Sequence, residues 1–413
     1  MDDMCYSQPV NLLGDRGLSR WYMRRGYGSR ELWHSYLVRR VQKETNSDIR
    51  RFCDIREVAE CVNRETGADL ATTIGVLCWP ALKYATDPRS ESELRKVTRN
   101  TELDLLCAAA CLNLLPLAKR LLRDGIRPTD KSFLFSSPIR LAAWFGDAEM
   151  LQVFQARTPD RIDLGPWQPN WTGKAGPDSI QGAVIRGDLD MVRLAIYPPS
   201  RTMPNDTHYY GEPFGHVDRH GDSGYALHNA QCYTRSPEVH KYLESFFSTT
   251  GKLEYELALH CRLGNLEMVQ YLLDAGADTR GICSRYGNPL AEACRNCHQD
   301  IVEILLERGA DANYGGEGPN GRNQGANVLA SAAAGGCITI VRKLLDHGVD
   351  ISGTRLYEPL RRAIRIEHTG IVRLFLGLVP DLRYGRGGYS YLLKFAAKQG
   401  LDSMVELLEQ EVQ

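Results

Sequence analysis

The chain has 413 residues, 43% of them hydrophobic and 24% charged, with 50 Lys+Arg set against 51 Asp+Glu. That balance supplies no overall basic field for nucleic acid or an anionic membrane, and the apolar fraction excludes a disordered chain. The longest apolar run, Ile74 to Leu82, is too short to span a bilayer, and the Met-Asp-Asp-Met start lacks the basic and apolar regions of a secretory signal. A cytoplasmic or nuclear protein is the expectation. Twelve scattered Cys in such a chain read as reduced thiols, not as a disulfide framework. Six of them (Cys107, Cys111, Cys232, Cys261, Cys294 and Cys337) are expected inside helices as small buried hydrophobes.

Residues 1–100 read as a helical N-terminal region. Leu32, Trp33, Tyr36, Leu37 and Val41 predict a helix over 31–43. A second helix spans about 49–63 and ends in Thr66-Gly67-Ala68-Asp69, and Ser90 with Glu93 forms a capping box for a third. Residues 1–56 carry 11 Lys/Arg and 7 Asp/Glu, including the pairs Arg24-Arg25, Arg39-Arg40 and Arg50-Arg51. The excess is small, so a solvated helical face is favoured over a nucleic-acid patch.

A repeat begins near residue 100. Its clearest copy runs from Asn288 to Asn313. Leu290 and Ala293 mark a short helix, a turn falls near Cys297, and Ile301, Val302, Ile304, Leu305 and Leu306 mark a second helix that Gly309 ends. The small residue of the first helix anchors each copy: Ala109, Ala142, Ala183, Ala230, His260, Ala293, Ala332, Ala363 and Ala396. Successive anchors lie 33, 41, 47, 30, 33, 39, 31 and 33 residues apart. Pro138-Ile139, Pro289-Leu290 and Pro359-Leu360 share a helix start, and Leu227-His228 precedes Ala230 by a fixed step. Gly146, Gly187, Gly264, Gly336 and Gly400 share the inter-helix turn, and Gly276-Ala277-Asp278 echoes Gly309-Ala310-Asp311.

This pattern resembles the ankyrin repeat in period and signature. The resemblance covers roughly residues 100–410 with about nine divergent copies. It implies an all-α solenoid of stacked helix–turn–helix units over 101–413, sharing one core, with residues 1–100 as a helical cap and a degenerate capping copy near 35–70. It also implies that the two positions after each pair of small residues face a concave groove. Those positions are Cys111 and Leu112, Trp144 and Phe145, Ile185 and Arg186, Cys232 and Tyr233, then Arg262 and Leu263. The last four copies give Arg295 and Asn296, Ala334 and Gly335, Arg365 and Ile366, Lys398 and Gln399. Five of these 18 residues are basic and none is acidic, whereas the whole-chain frequency gives about two. The expected partner is therefore another protein. An acidic segment would lie on Arg186, Arg262, Arg295, Arg365 and Lys398, with an apolar anchor near Trp144.

Three insertions interrupt the array, at 157–178, 197–223 and 313–325, and such insertions often map to a binding face. Trp167, Trp171, Tyr209 and Tyr210 are either interface anchors or staples that pack the loops onto the helices. His216, Asp218, His220 and Asp222 would share one side of an extended segment, a weak N/O metal set; the alternative is a polar loop with ordinary hydrogen bonds. Cys294-Arg-Asn-Cys297-His298 matches a haem-attachment pattern, but inside a packed helix pair that has no room for haem. Gly316 to Gly321 matches a dinucleotide fingerprint without the strand and helix that motif needs. No nucleophile elbow, phosphate loop or metalloprotease motif occurs, and no cofactor is implied. The leading function is a non-enzymatic scaffold or adaptor, including a transcriptional co-regulator that acts through proteins. The alternative is an enzyme or metal-binding protein using 197–223.

Overall fold

The computed structural model describes residues 30–45, 50–85, 99–157, 175–196, 222–245, 253–281, 287–314, 327–351, 355–378 and 388–410. Among them are 21 helices and no strand. The Trp167, Trp171, Tyr209, Tyr210, His216, Asp218 and His220 expectations, the Ser90 capping box and the Gly316–Gly321 loop lie outside the described residues. The chain forms two units, one containing the described residues 30–245 and the other 253–410.

The first unit opens with α1 (Arg30–Lys43), α2 (Arg50–Thr66) and α3 (Leu70–Ala85). Helix α1 begins within a residue of its expected start, and α2 reaches the expected Thr66. Helix α3 is new. It contains the apolar run Ile74 to Leu82, which has no helical period, and Pro80 interrupts its interior. Its side chains are apolar nearly all round because it packs against both α1 and α2. Asp69 caps it by accepting from the Thr72 amide at 2.8 Å. Arg24-Arg25 lies outside the described residues, and one residue of each other basic pair serves packing. Arg40 pairs with Glu44 and lies 5.2 Å over the Phe52 ring, and Arg51 donates to the Ala81 carbonyl at 2.8 Å.

Four helix pairs follow in this unit: α4 (Thr101–Cys111) with α5 (Leu115–Arg123), α6 (Pro138–Phe145) with α7 (Ala148–Gln155), α8 (Ala175–Arg186) with α9 (Leu189–Ile196), and α10 (Asp222–Tyr233) with α11 (Pro237–Glu244). The second unit holds five more: α12 (Leu253–Leu263) with α13 (Leu266–Asp274), α14 (Pro289–Arg295) with α15 (Gln299–Glu307), α16 (Val328–Gly335) with α17 (Ile338–Asp346), α18 (Tyr357–Arg365) with α19 (Thr369–Leu378), and α20 (Gly388–Lys398) with α21 (Asp402–Gln410). Each expected anchor sits in the first helix of a pair and is at most 2% exposed. The residue is Ala in eight of the nine copies, His260 being the exception, because first helices of neighbouring pairs pack side by side within each unit. Second helices bury the Val/Ile and Leu/Leu positions, such as Val302 and Leu305 or Val341 and Leu344. The buried apolar side chains fall into two clusters, one in each unit.

Local chemistry fixes the helix ends. Asn100, Asp147, Ser236, Asn288 and Asn327 cap first or second helices by accepting from an amide three residues on. Pro138, Pro237 and Pro289 start helices where a missing N–H costs nothing. Seven inter-helix turns among the described residues need a left-handed residue, and three copies use Asn113, Cys297 or Glu367 there instead of Gly. Gly146 differs from the expected pattern. Its φ is −72°, and it is required for space, because a Cβ would lie 2.7 Å from the Ala142 carbonyl oxygen.

The turn of one copy abuts the residue that opens the second helix of the next. Asn113 donates to Asp147 at 2.9 Å. Gly264 lies against the His298 ring, which donates through Nε2 to the Arg262 carbonyl at 3.2 Å. A Cβ at Gly336 would lie 3.5 Å from the His368 ring.

Close approach is greatest between α6 and α8, where a Cβ at Gly182 would overlap the Arg140 carbonyl oxygen and touch Ala143. Backbone cannot yield as a side chain can. Gly182→Ala is expected to destabilise the first unit by about 2–3 kcal/mol, despite the better helix propensity of Ala. Urea unfolding followed by circular dichroism measures this, and a neutral or stabilising result would show that α6 and α8 can move apart freely.

Candidate partner-binding surface

The expected groove residues occupy the last turn, or the capping residue, of successive first helices. Trp144 and Phe145 end α6, Arg186 ends α8 and Tyr233 ends α10 in the first unit. Arg262 lies in the last turn of α12, Arg295 ends α14 with Asn296 as its cap, Arg365 ends α18 and Lys398 ends α20 in the second. Helix C-termini favour cations through the macrodipole, so the five basic residues also stabilise the helices that carry them.

In the first unit, the Trp144 and Phe145 rings lie 4.4 Å apart, tilted by 33°, and both side chains are half-buried against the core. Tyr233 is 40% exposed, which makes it one of the largest apolar surfaces left open among the described residues. Arg186 is more constrained than its sequence position suggested. Its guanidinium donates to the Gly146 carbonyl of the preceding copy and pairs with Asp188 at 3.4 Å.

The second unit carries four of the five cations on helices that pack in order, α12 to α14, α14 to α16, α16 to α18 and α18 to α20. Arg262, Arg295 and Arg365 are half-buried and Lys398 is exposed. Arg295 reaches Ser331 on α16 at 3.4 Å. Arg365 lies 5.8 Å over the Phe395 ring on α20, beside Arg361 at 5.7 Å from the same ring. These contacts hold long side chains in place, so less freedom is lost when a ligand docks. Asn296 is tied back, its amide donating to the Glu292 carbonyl at 2.8 Å.

One residue escaped the groove reading. Glu292, on α14, is buried, lies 3.8 Å from Arg295, and feels both Arg295 and Arg262. Burial raises its pKa above the ordinary range, and the two arginines only partly oppose that. The signal was the three-residue spacing from Arg295, which places both on one helix face. A carboxyl whose folded pKa exceeds its unfolded value adds stability below the unfolded value and loses it as pH rises through the folded one. Glu292→Gln is therefore expected to melt higher than the parent at pH 7.5. The gap should close as pH falls toward about 4.3, the unfolded carboxyl value. A gap that widens on acidification would reverse the assignment.

Asp222 opens α10, and its expected metal partners lie outside the described residues. No group of three or more His, Cys, Asp or Glu suited to a metal occurs among the described residues, and no helix there is long and apolar enough to cross a membrane. Cys337 differs from its expected place inside a helix. It caps α17 and is half-exposed, because it takes the helix-opening position that His298 and His368 hold in neighbouring copies.

Comparison with known proteins agrees with this geometry. The family model described as ankyrin repeats (3 copies) matches residues 227–316 and 257–355. An ankyrin repeat and KH domain-containing protein mask-1 of Caenorhabditis elegans is 28% identical over 116 residues, 27% of this chain and 4% of that protein. Ankyrin repeat, SAM and basic leucine zipper domain-containing protein 1 of Saimiri boliviensis boliviensis and of Ateles geoffroyi is 32% identical over 115 residues, 26% of this chain and 23% of each relative. The matches thus span less than a quarter of these relatives' own length. The matched segment, with its buried small anchors and stacked helix pairs, shows ankyrin repeats within residues 227–355 of this chain.

Proposed function

We propose that this chain is a non-enzymatic adaptor that holds an acidic protein segment along the last turns of α12, α14, α18 and α20. The row of Arg262, Arg295, Arg365 and Lys398 carries this reading. Four cations stand at equivalent positions of α12, α14, α18 and α20, with Ala334 of α16 in the step between α14 and α18, and two of the arginines are steadied by Ser331 and Phe395. The row's three arginines offer forked, always-charged donors and Lys398 a point charge, which suits carboxylates spaced along an extended chain. The first unit supplies a separate apolar surface at Trp144, Phe145 and Tyr233, residue types that often dominate interface energy and suit an apolar anchor in the same partner.

The reading also takes the array as about nine ankyrin copies behind an N-terminal helical region. Transcriptional co-regulation through proteins is its nuclear form, and nuclear exclusion of the tagged full chain would remove that form. The test of the adaptor reading is titration of the full chain with a labelled acidic peptide that carries one Trp. A basic peptide of equal length is the control. Equal affinity for the two peptides would overturn the reading.

A further inference from the structure

The turn-to-opening contact between neighbouring copies has one site where both residues are cysteines. Cys297 stands at the left-handed turn between α14 and α15, with φ of 61°, and is exposed. Cys337 caps α17 in the next copy. These are the positions held by Gly264 and His298 one copy earlier and by Gly336 and His368 one copy later, and both of those pairs are in or near contact. Cys297 and Cys337 are near enough to influence each other's titration. The Cys297 thiol also faces the Gly335 carbonyl oxygen at 3.1 Å. Around the Cys337 sulfur stand Gln299 Nε2 at 3.3 Å and the Thr339 hydroxyl at 2.9 Å.

We propose that Cys297 and Cys337 form a peroxide-responsive thiol pair, in which a small hydroperoxide oxidises Cys337 and Cys297 then closes a disulfide between neighbouring copies. The polarity follows from the surroundings. Cys337 stands at the N-terminus of α17, and its sulfur accepts from Gln299 Nε2 beside the Thr339 hydroxyl, an arrangement that favours the thiolate. Cys297 instead donates its thiol hydrogen to the Gly335 carbonyl oxygen and so stays protonated. The Cys337 thiolate attacks one oxygen of the hydroperoxide. The O–O bond breaks, the alkoxide or hydroxide leaves and takes a proton, and Cys337 becomes a sulfenic acid. The Cys297 sulfur then attacks the Cys337 sulfur. An S–S bond forms, and hydroxide leaves with the Cys297 proton as water. Two thiols lose two electrons, and one hydroperoxide gains them to give an alcohol (or water) and a water. Cys107, Cys111, Cys261 and Cys294 are buried and have no such access.

The bond would fasten the turn that directly follows Arg295 and Asn296, so oxidation reaches the proposed groove without altering any of its residues. The thiol chemistry itself does not depend on the adaptor reading.

The test treats the reduced full chain with one equivalent of hydrogen peroxide at pH 7, blocks remaining thiols, and maps peptides without reduction. A Cys297–Cys337 linked peptide within one molecule is expected. Cys297→Gly places at the turn the residue that Gly264 and Gly336 supply in sister copies, so the fold should survive; Cys297→Ser is the reserve variant. In either, dimedone should label the Cys337 sulfenic acid about tenfold more than in the parent chain, because its resolving thiol is gone. Cys337→Ser should leave Cys297 unoxidised. Iodoacetamide should still modify Cys337 in the Cys297→Ser chain at pH 7 faster than it modifies Cys297 in the Cys337→Ser chain. Failure to oxidise Cys337, a bridge formed only between molecules, or equal dimedone labelling with and without Cys297 would overturn the proposal.

Discussion

Converting Arg262, Arg295 and Arg365 together to Glu is expected to weaken binding of an acidic peptide by at least about a hundredfold. Each change removes an attraction and adds a repulsion, and like-charge juxtaposition at an interface costs several kcal/mol. The three changes together should cost folding about 1–3 kcal/mol, since an acidic residue at a helix C-terminus costs about 0.3–1 kcal/mol at each site. The substitution nearest Glu292 carries most of that cost, because it sets two carboxyls on one face of α14. A matching triple Arg→Gln chain separates the two effects. It keeps length and polarity, and should lose roughly tenfold in affinity with little change in melting. Anisotropy titrations at low and high salt measure both, and the parent's advantage should shrink as salt screens the row. Unchanged binding by the Glu variant, with its circular dichroism intact, would sink the acidic-segment reading.

The largest expected loss of stability comes from a residue outside the groove. Arg99 precedes α4 and donates to Asp54 at 2.8 Å, Glu57 at 2.5 Å and Asp104 at 3.0 Å. Asp104 is 1% exposed and takes a second hydrogen bond from the Ser132 hydroxyl at 2.6 Å. The guanidinium thus joins α2 of the N-terminal region to the first helix pair. Arg99→Met would leave one buried carboxylate unpaired and two acidic residues close by. Breaking such a pair costs about 3–5 kcal/mol. Burial already holds Asp54 and Asp104 above the ordinary carboxyl range, while Arg99 opposes it. Without Arg99 their folded pKa values rise further. A raised carboxyl adds stability at low pH and loses it as pH rises, so the variant's deficit should shrink between pH 7 and pH 4. Arg99→Met combined with Asp104→Asn should recover part of the loss at pH 7. Urea unfolding across that pH range checks both statements, and a deficit independent of pH would mean that packing, not charge, sets it.

These two cases mark how far sequence reasoning reaches. The anchors were legible because packed first helices favour small residues, which imposes a period on the chain. His260 kept the frame although it is the one anchor that is neither small nor apolar, and Asn265 meets its ring at 3.0 Å. The basic row was legible because its residues recur at one step of that period. Arg99 was not legible. Its acidic partners Asp54 and Asp104 stand 45 residues away and 5 residues away, and neither separation belongs to a repeat. Helix α3 was missed because burial on several sides removes the alternation that announces a helix. Cys337 was misplaced because a small residue beside a helical run looks like part of the helix until the neighbouring copies show His at the same opening.

The contact between one copy's turn and the next copy's helix opening sets a rule of inheritance. A copy carries only half of each junction it makes. His298 needs a glycine before it, because its ring occupies the space that a side chain at 264 would fill. Asn113 and Asp147 satisfy each other across 2.9 Å. Excising the copy that contains α16 and α17 would bring Cys297 against His368, a pairing found at no other junction among the described residues. Repeats of this array therefore cannot be shuffled or lost as whole beads without also exchanging the half-junctions on either side. Copy number here is constrained at its seams, even where the helices themselves are interchangeable.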